Sequence, residues 1–118
     1  MTYTSIIYRA EDHVAGITLN RPKMDNIINQ PLAQELADVC ARINQDDDIY
    51  VVVITGAGDK TFCGGNEMER WLQSGRAVTE SDASVWAKMS VAAAVAGIDR
   101  PVIAAIKGDA LGQGLELA

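Results

Sequence analysis

Apolar and polar positions along the chain predict short strands that alternate with helices. Residues 5–9 and 14–19 are rich in β-branched or aromatic side chains and are separated by the polar turn 11–13, a pattern typical of a hairpin. The next segment, 20–26, is polar with a central proline and should form an irregular connection. The chain is therefore expected to open with two strands and a loop.

The first helix is predicted by apolar residues that recur at helical spacing. Asn29 or Gln30 can cap it, and Pro31 suits its first turn. The apolar stripe occupies positions i, i+4, i+7, i+8 and i+11, which lie on one face of a helix. It comprises Leu32, Leu36, Val39, Cys40 and Ile43. We expect this stripe to pack on a core.

A third strand should follow the helix after an acidic turn at residues 46–48. Residues 50–55, Y-V-V-V-I-T, are a continuous β-rich run, which is typical of a strand covered on both faces. A loop that begins at Gly56 and contains the Gly-Gly pair at residues 64–65 should then lead into a short helix over residues 67–73.

The same succession of elements recurs later in the chain. A long Ala-rich helix, capped by Ser81, keeps helical spacing up to Ala96 and ends at the breaker 99–101. Residues 102–106 should form a fourth strand, and the Gly-rich turn 108–114 should lead into a terminal helix. Two strand–loop–helix units are thus predicted, and their loops could meet in space.

Gly-rich loops of this kind expose backbone N–H groups, and a helix N-terminus adds a partial positive charge. Two such loops at one point would form an oxyanion hole, which holds a carbonyl oxygen that becomes negative during a reaction. Neither loop has the G-x-G-x-x-G or Gly-Lys-Ser/Thr spacing of nucleotide-phosphate sites. The alternative is that the glycines only make turns between strand and helix.

Charge and cysteine usage exclude several classes of protein. The 118 residues carry a net charge of −6, so we expect no nucleic-acid partner. No apolar run approaches the roughly 20 residues of a membrane span and no signal peptide is evident, so a cytoplasmic protein without membrane contact is expected. Cys40, Cys63 and the single histidine, His13, give no metal-ligand spacing and no disulfide framework. We expect Cys63 to pack in the core.

Three segments resemble the signatures of one enzyme superfamily. T-F-C-G-G-N-E-M at residues 61–68 and P-V-I-A-A-I-K-G-D-A-L-G-Q-G-L-E-L-A at residues 101–118 are similar to the two motifs of the crotonase, or enoyl-CoA hydratase/isomerase, superfamily. I-T-L-N-R-P at residues 17–22 resembles the end of its N-terminal strand. The three occur in the family's order and span nearly the whole chain.

The resemblance implies an α/β fold, a right-handed spiral of β-β-α units. Residues 1–118 would be the N-terminal part of that domain, without the C-terminal helical trimerisation region. The last residues, G-L-E-L-A, have the pattern of a first helical turn, so we expect a fragment that forms neither a complete active site nor a well-packed monomer. The full-length protein would be a homotrimer or a dimer of trimers.

The resemblance also implies the residues that act on an acyl-CoA thioester. The backbone N–H groups of Asn66 and Gln113 match the positions of the oxyanion-hole donors, and Gly65 and Gly112 match substrate-binding positions. Glu116 matches a carboxylate that positions and deprotonates water. A first-turn Glu that merely suits the helix dipole is the alternative for Glu116.

Arg21 and Lys23 flank the segment that contacts coenzyme A in the family. Their charges could meet the phosphates of coenzyme A, although many surface Lys and Arg side chains have no such partner. Coenzyme A would enter as part of the substrate, so no separate cofactor and no metal are expected.

The implied activity is that of an enoyl-CoA hydratase, a lyase of fatty acid metabolism that adds water to an acyl-CoA thioester or removes it. Gln113 stands where the family has Gly, so the acyl group need not be that of a fatty acid. Two alternatives remain open. One is another reaction of the family on acyl-CoA (isomerase, hydrolase, decarboxylase or dehalogenase), and the other is a non-catalytic acyl-CoA binding protein.

Overall fold

The computed structural model of the protein describes residues 2–65, 67, 75, 91–111, 114, 117 and 118. In these residues a four-stranded sheet lies against a long helix, and two short strands form a second sheet. The elements in chain order are β1 (Ile6–Glu11), β2 (Val14–Leu19), a 3₁₀ turn (Pro22–Met24), α1 (Gln30–Asn44), β3 (Val51–Gly56), β4 (Thr61–Cys63), α2 (Val91–Ala96), β5 (Val102–Ala105) and β6 (Asp109–Ala110).

The opening hairpin is confirmed, with a tighter turn than the sequence predicted. Glu11 belongs to β1, and the turn consists of Asp12 and His13 alone, with φ of 51° and 67°. Two residues with positive φ are the pattern of a type I′ turn, whose twist matches that of the flanking strands. The His13 ring also stacks on Tyr50, with ring centroids 4.2 Å apart.

The four-stranded sheet has the order β1-β2-β3-β5. β1 is antiparallel to β2, whereas β2, β3 and β5 are mutually parallel. Parallel strands end at the same edge of a sheet. The segments that follow β2, β3 and β5, which include both Gly-rich loops, therefore leave the sheet at one edge.

Helix α1 covers one face of this sheet, as its apolar stripe predicted. The Asn29 side-chain oxygen accepts a hydrogen bond of 3.1 Å from Leu32 N–H and so caps the helix, with Pro31 in the first turn. Each fully buried Leu or Ile contributes about 1.5–3 kcal/mol. The large buried side chains between helix and sheet include Ile17, Leu19, Leu32, Leu36, Val39, Ile43, Val52 and Ile54.

One carboxylate, that of Glu35, lies inside this packing at 6% exposure. Its oxygens accept hydrogen bonds from the N–H groups of Thr4, at 2.6 Å, and Ser5, at 3.0 Å. Burial of a charged group is tolerated when backbone donors replace water. Glu35 therefore anchors the start of the chain to α1.

The breaker at residues 99–101 also closes the C-terminal end of α1. The Arg100 guanidinium is 13% exposed and donates to the carbonyl oxygens of Asp46, at 2.6 Å, and Ile49, at 2.9 Å. It also forms an ion pair of 2.7 Å with Asp99. The guanidinium also donates to the carbonyl oxygen of Asn44, the last residue of α1, at 3.4 Å, so Arg100 joins the end of α1 to the start of β5.

The structure differs from the sequence prediction at three places. β4 and β6 lie in segments expected to be loops. β3 alternates between buried and half-buried residues instead of being equally covered on both faces. Of the predicted Ala-rich helix, the described part is α2, and the predicted helix over 67–73 lies outside the described residues except for Glu67, which is helical.

Among the helices in the described ranges, none is long and apolar enough to cross a membrane.

Candidate active site

The two Gly-rich loops that the sequence places after β3 and β5 are paired in the structure. β4 of the first loop and β6 of the second form a parallel pair, in which Thr61 is opposite Asp109 and Cys63 is opposite Ala110. Asp109 N–H donates to the Lys60 carbonyl oxygen at 3.1 Å, and Leu111 N–H donates to that of Cys63 at 3.0 Å. The expectation that the loops meet in space is confirmed for these residues.

Two glycines make this close approach sterically feasible. A Cβ at Gly108 would overlap the carbonyl group of Lys60, and a Cβ at Gly114 would overlap that of Cys63. Both obstacles are backbone atoms, which cannot rotate away as the end of a flexible side chain can. The second loop therefore requires glycine at both positions in order to contact the first.

Gly108→Ala should lower the free energy of unfolding by about 3 kcal/mol, because either the Lys60 backbone moves or the β4–β6 pairing breaks. Denaturant unfolding followed by circular dichroism measures this loss. Gly16→Ala in β2 is the matched control, since the atom nearest to an added Cβ there is the Arg9 carbonyl oxygen at 3.8 Å. The control should change stability by less than about 0.5 kcal/mol. Equal losses in the two variants would contradict the close approach.

The first loop is held from its other side by the segment that follows the 3₁₀ turn. Gly64 N–H donates to the Asp25 carbonyl oxygen at 2.9 Å, and the Gly65 carbonyl oxygen accepts from Ile28 N–H at 2.8 Å. Glu67 N–H then donates to the Ile28 carbonyl oxygen at 3.0 Å. Gly65 has a φ of 94°, which a side chain would disfavour.

Of the site residues carried over from the motifs, only Gly65 lies within the described part. Asn66, Gly112, Gln113 and Glu116 lie outside the described residues. Their chain neighbours are nevertheless informative, because the paired loops contain Gly65, Leu111 and Gly114. Gly114 and Leu117 are helical, and Ala118 N–H donates to the Gly114 carbonyl oxygen at 3.2 Å, as the predicted terminal helix requires.

The two cations proposed for coenzyme A have different surroundings. Arg21 is half-buried, and its guanidinium donates to the Ile27 carbonyl oxygen at 2.5 Å, which ties it to its own loop. Lys23 is exposed and borders a cavity of about 330 Å³. Lys60, which the sequence analysis did not select, borders the same cavity. Two lysines therefore line this cavity, together with Asp59 between β3 and β4, whose charge is opposite.

One residue of central importance to this arrangement was missed by the sequence analysis. Asn26 has no solvent exposure, and its side chain binds three backbone groups on two segments of the chain. Its oxygen accepts from Arg21 N–H at 2.8 Å, and its amide nitrogen donates to the carbonyl oxygens of Ala57, at 3.1 Å, and Thr61, at 2.9 Å. The polar composition of residues 20–26 gave no signal that one member would be buried.

Both cysteine side chains are buried. The Cys63 side chain is fully buried in the hydrophobic core, as expected. Burial raises the pKa of the Cys40 thiol to about 11, so it stays protonated at neutral pH. His13 contacts residues that precede β3, whereas Cys63 follows the opposite end of that strand.

Comparison with known proteins identifies the fold and the family. The model of the enoyl-CoA hydratase/isomerase family matches residues 9–118. The (E)-benzylidenesuccinyl-CoA hydratase of Thauera aromatica is 33% identical over 96% of this chain and 43% of its own length. The crotonyl-CoA hydratase of Syntrophomonas wolfei is 34% identical over 100% of this chain and 45% of its own length. The crystal structure of an enoyl-CoA hydratase from Bacillus anthracis, 34% identical, superposes with a TM-score of 0.84 over 97% of this chain and 44% of that one.

A mixed sheet whose parallel strands lead at one edge into two paired Gly-rich loops, together with these superpositions, defines an α/β protein of the crotonase fold. The chain spans less than half the length of the curated relatives it matches. The match of the family model over residues 9–118 assigns the chain to the same family by sequence. The chain belongs to the enoyl-CoA hydratase/isomerase family.

Proposed function

We propose that this chain contributes the paired Gly-rich loops to the active site of an enoyl-CoA hydratase-like enzyme. It would add water to the double bond of an acyl-CoA thioester, or catalyse the reverse reaction. The observation that carries this proposal is the β4–β6 pairing, which brings two strand–loop–helix units together at one edge of the sheet. The hydratase names of the relatives give further support.

In this proposal the thioester carbonyl oxygen accepts hydrogen bonds from the main-chain N–H groups of Asn66 and Gln113. Addition of water to the β-carbon moves negative charge onto that oxygen, so donors aimed at it stabilise the transition state. Glu116 takes a proton from the attacking water, and the α-carbon receives a proton to complete the addition. The Gln113 side chain would lie near the acyl group and restrict its shape.

The opposite end of the substrate would lie along the cavity beside Lys23 and Lys60. Their ammonium groups attract the phosphates of coenzyme A, whereas Arg21 shapes the loop through Ile27. Coenzyme A is part of the substrate, so the proposed reaction needs no separate cofactor. We also infer a homotrimer or dimer of trimers from the family resemblance, and a cytoplasmic location from the cysteine usage of the sequence.

Lys23→Ala should raise KM for crotonyl-CoA about threefold and leave kcat unchanged, since an exposed ion pair is worth at most about 1 kcal/mol. The effect should shrink as salt is added, because salt screens exposed charges. Arg9→Ala, which removes an exposed cation from β1, is the control and should leave KM unchanged. A KM for Lys23→Ala equal to that of the unaltered protein at low salt would exclude Lys23 from the substrate contact.

Hydration of crotonyl-CoA tests the proposed function. Loss of the absorbance of the conjugated enoyl thioester, together with a product heavier by one water, is the expected result. Binding of a non-reactive acyl-CoA in a calorimetric titration without any turnover would instead indicate a binding protein or a different reaction of the family. Absence of both binding and turnover would overturn the proposal.

A further inference from the structure

Asn26 joins two of the three segments that leave the carboxyl edge of the sheet, those that follow β2 and β3. Its side-chain oxygen accepts a hydrogen bond from the N–H of Arg21, near the start of the segment that follows β2. Its side-chain amide binds the carbonyl oxygens of Ala57 and Thr61, on either side of the loop between β3 and β4. All three partners of the Asn26 side chain are backbone groups. The side chain therefore fixes the path of the main chain.

The conformation of Asn26 suits this task. Its φ is 51°, in the left-handed region that Asn tolerates better than most residues. Its own N–H donates to the Arg21 carbonyl oxygen at 2.9 Å. Asn26 thereby closes a turn that places Ile28 against the first Gly-rich loop.

The residues on either side of Asn26 hold the loop that carries the proposed oxyanion donor. Asp25 binds Gly64, and Ile28 binds both Gly65 and Glu67, all through main-chain groups. A peptide group is planar, so a hydrogen bond to the Gly65 carbonyl oxygen also sets the orientation of the N–H in the same peptide plane. That N–H belongs to position 66.

We propose that Asn26 is a positioning residue for the oxyanion hole, acting through the turn 25–28 on the peptide group between Gly65 and Asn66. The inference rests on the proposed function, because it assigns Asn26 a role in polarising the thioester carbonyl. Asn26 borders the cavity of Lys23 and Lys60 but has no solvent exposure, so in this proposal it acts through the main chain and not by contact with the substrate. Its loss lets the peptide tilt, and a donor misplaced by about 1 Å can cost on the order of 10²-fold in rate.

Asn26→Gly is the variant of choice, because glycine adopts a positive φ without strain. It removes all three side-chain hydrogen bonds and leaves the backbone free to take the same path. Asn29→Ala is the matched control. It also removes an asparagine hydrogen bond three residues further along, to Leu32 N–H, but no side-chain hydrogen bond to the described residues of the loop. If Asn26→Gly does not fold, Asn26→Ser replaces it, since a hydroxyl group can satisfy one of the two carbonyl oxygens.

Two readouts are needed, steady-state kinetics with crotonyl-CoA and the carbonyl stretching frequency of bound butyryl-CoA, which cannot be hydrated. For folded Asn26→Gly we expect kcat to fall by about 10- to 10²-fold with KM within about twofold of the original. The shift of the carbonyl frequency on binding should shrink in parallel. Asn29→Ala should retain both kcat and the full shift.

An unchanged kcat and carbonyl shift in the folded Asn26 variant would overturn the inference and leave the proposed function intact. Equal losses in Asn26→Gly and Asn29→Ala would overturn it as well, because they would show a general effect on stability. If the unaltered protein polarises butyryl-CoA but does not hydrate crotonyl-CoA, the hydratase proposal fails alone, and the shift in the Asn26 variants still decides the inference. If the unaltered protein leaves the carbonyl frequency unchanged, both fail.

Discussion

Glu116→Gln should lower kcat for the hydration of crotonyl-CoA by about 10² to 10⁴ and leave the affinity for acyl-CoA almost unchanged. Gln has the size of Glu and forms hydrogen bonds, but it cannot accept and return a proton. Glu116 follows Gln113 by three positions, and residues three apart lie on the same side of a helix. The turn that directs an N–H to the thioester would thus bring the carboxylate near the α- and β-carbons.

The comparison of kcat with the affinity for acyl-CoA shows whether Glu116 acts in catalysis or in binding. An interaction made only in the transition state lowers kcat and kcat/KM equally. Glu11→Gln, which changes an exposed carboxylate on β1, is the control and should behave like the unaltered protein. Full turnover by Glu116→Gln would mean that other side chains perform the chemistry or that the protein only binds acyl-CoA.

Asn66→Pro should reduce kcat by about 10² to 10³, whereas Asn66→Ala should retain most of the activity. Proline removes the backbone N–H and alanine keeps it, so the pair of variants separates a main-chain donor from a side-chain role. Gly65 precedes this position, and glycine tolerates a following proline better than bulkier residues do. Steady-state kinetics of both variants provide the comparison.

A structural fault in the proline variant is distinguished by binding. Calorimetric titration with butyryl-CoA should show that Asn66→Pro still binds, since most contacts of coenzyme A lie outside the oxyanion hole in this proposal. Equal losses of activity in Asn66→Ala and Asn66→Pro would assign the role to the Asn66 side chain and contradict a main-chain donor.

The larger elements could be predicted because each has a local pattern. The stripe that ends at Ile43 and the cap at Asn29 specify α1 within one stretch of sequence. β4 and β6 could not be predicted this way, since three and two residues are too short to show a strand period. They exist because Gly108 allows the second loop to approach the backbone of Lys60, which is a contact between distant parts of the chain.

The same distinction applies to the candidate site. Motif resemblance supplied Asn66, Gln113 and Glu116 as predictions, which remain to be tested. No local signal supplied Asn26, because its side-chain amide binds carbonyl groups 31 and 35 residues away in sequence. For Arg21 the charge suggested a phosphate contact, which stays a prediction, whereas its hydrogen bond to the Ile27 carbonyl oxygen could be seen only in the structure.

A crystal structure of the protein with bound butyryl-CoA tests the central claim most directly. The account predicts a thioester oxygen about 2.7–3.1 Å from the main-chain nitrogen atoms of both Asn66 and Gln113, with the Glu116 carboxylate facing the α- and β-carbons. A thioester oxygen bound by neither nitrogen, with the acyl group away from the paired loops, would contradict it.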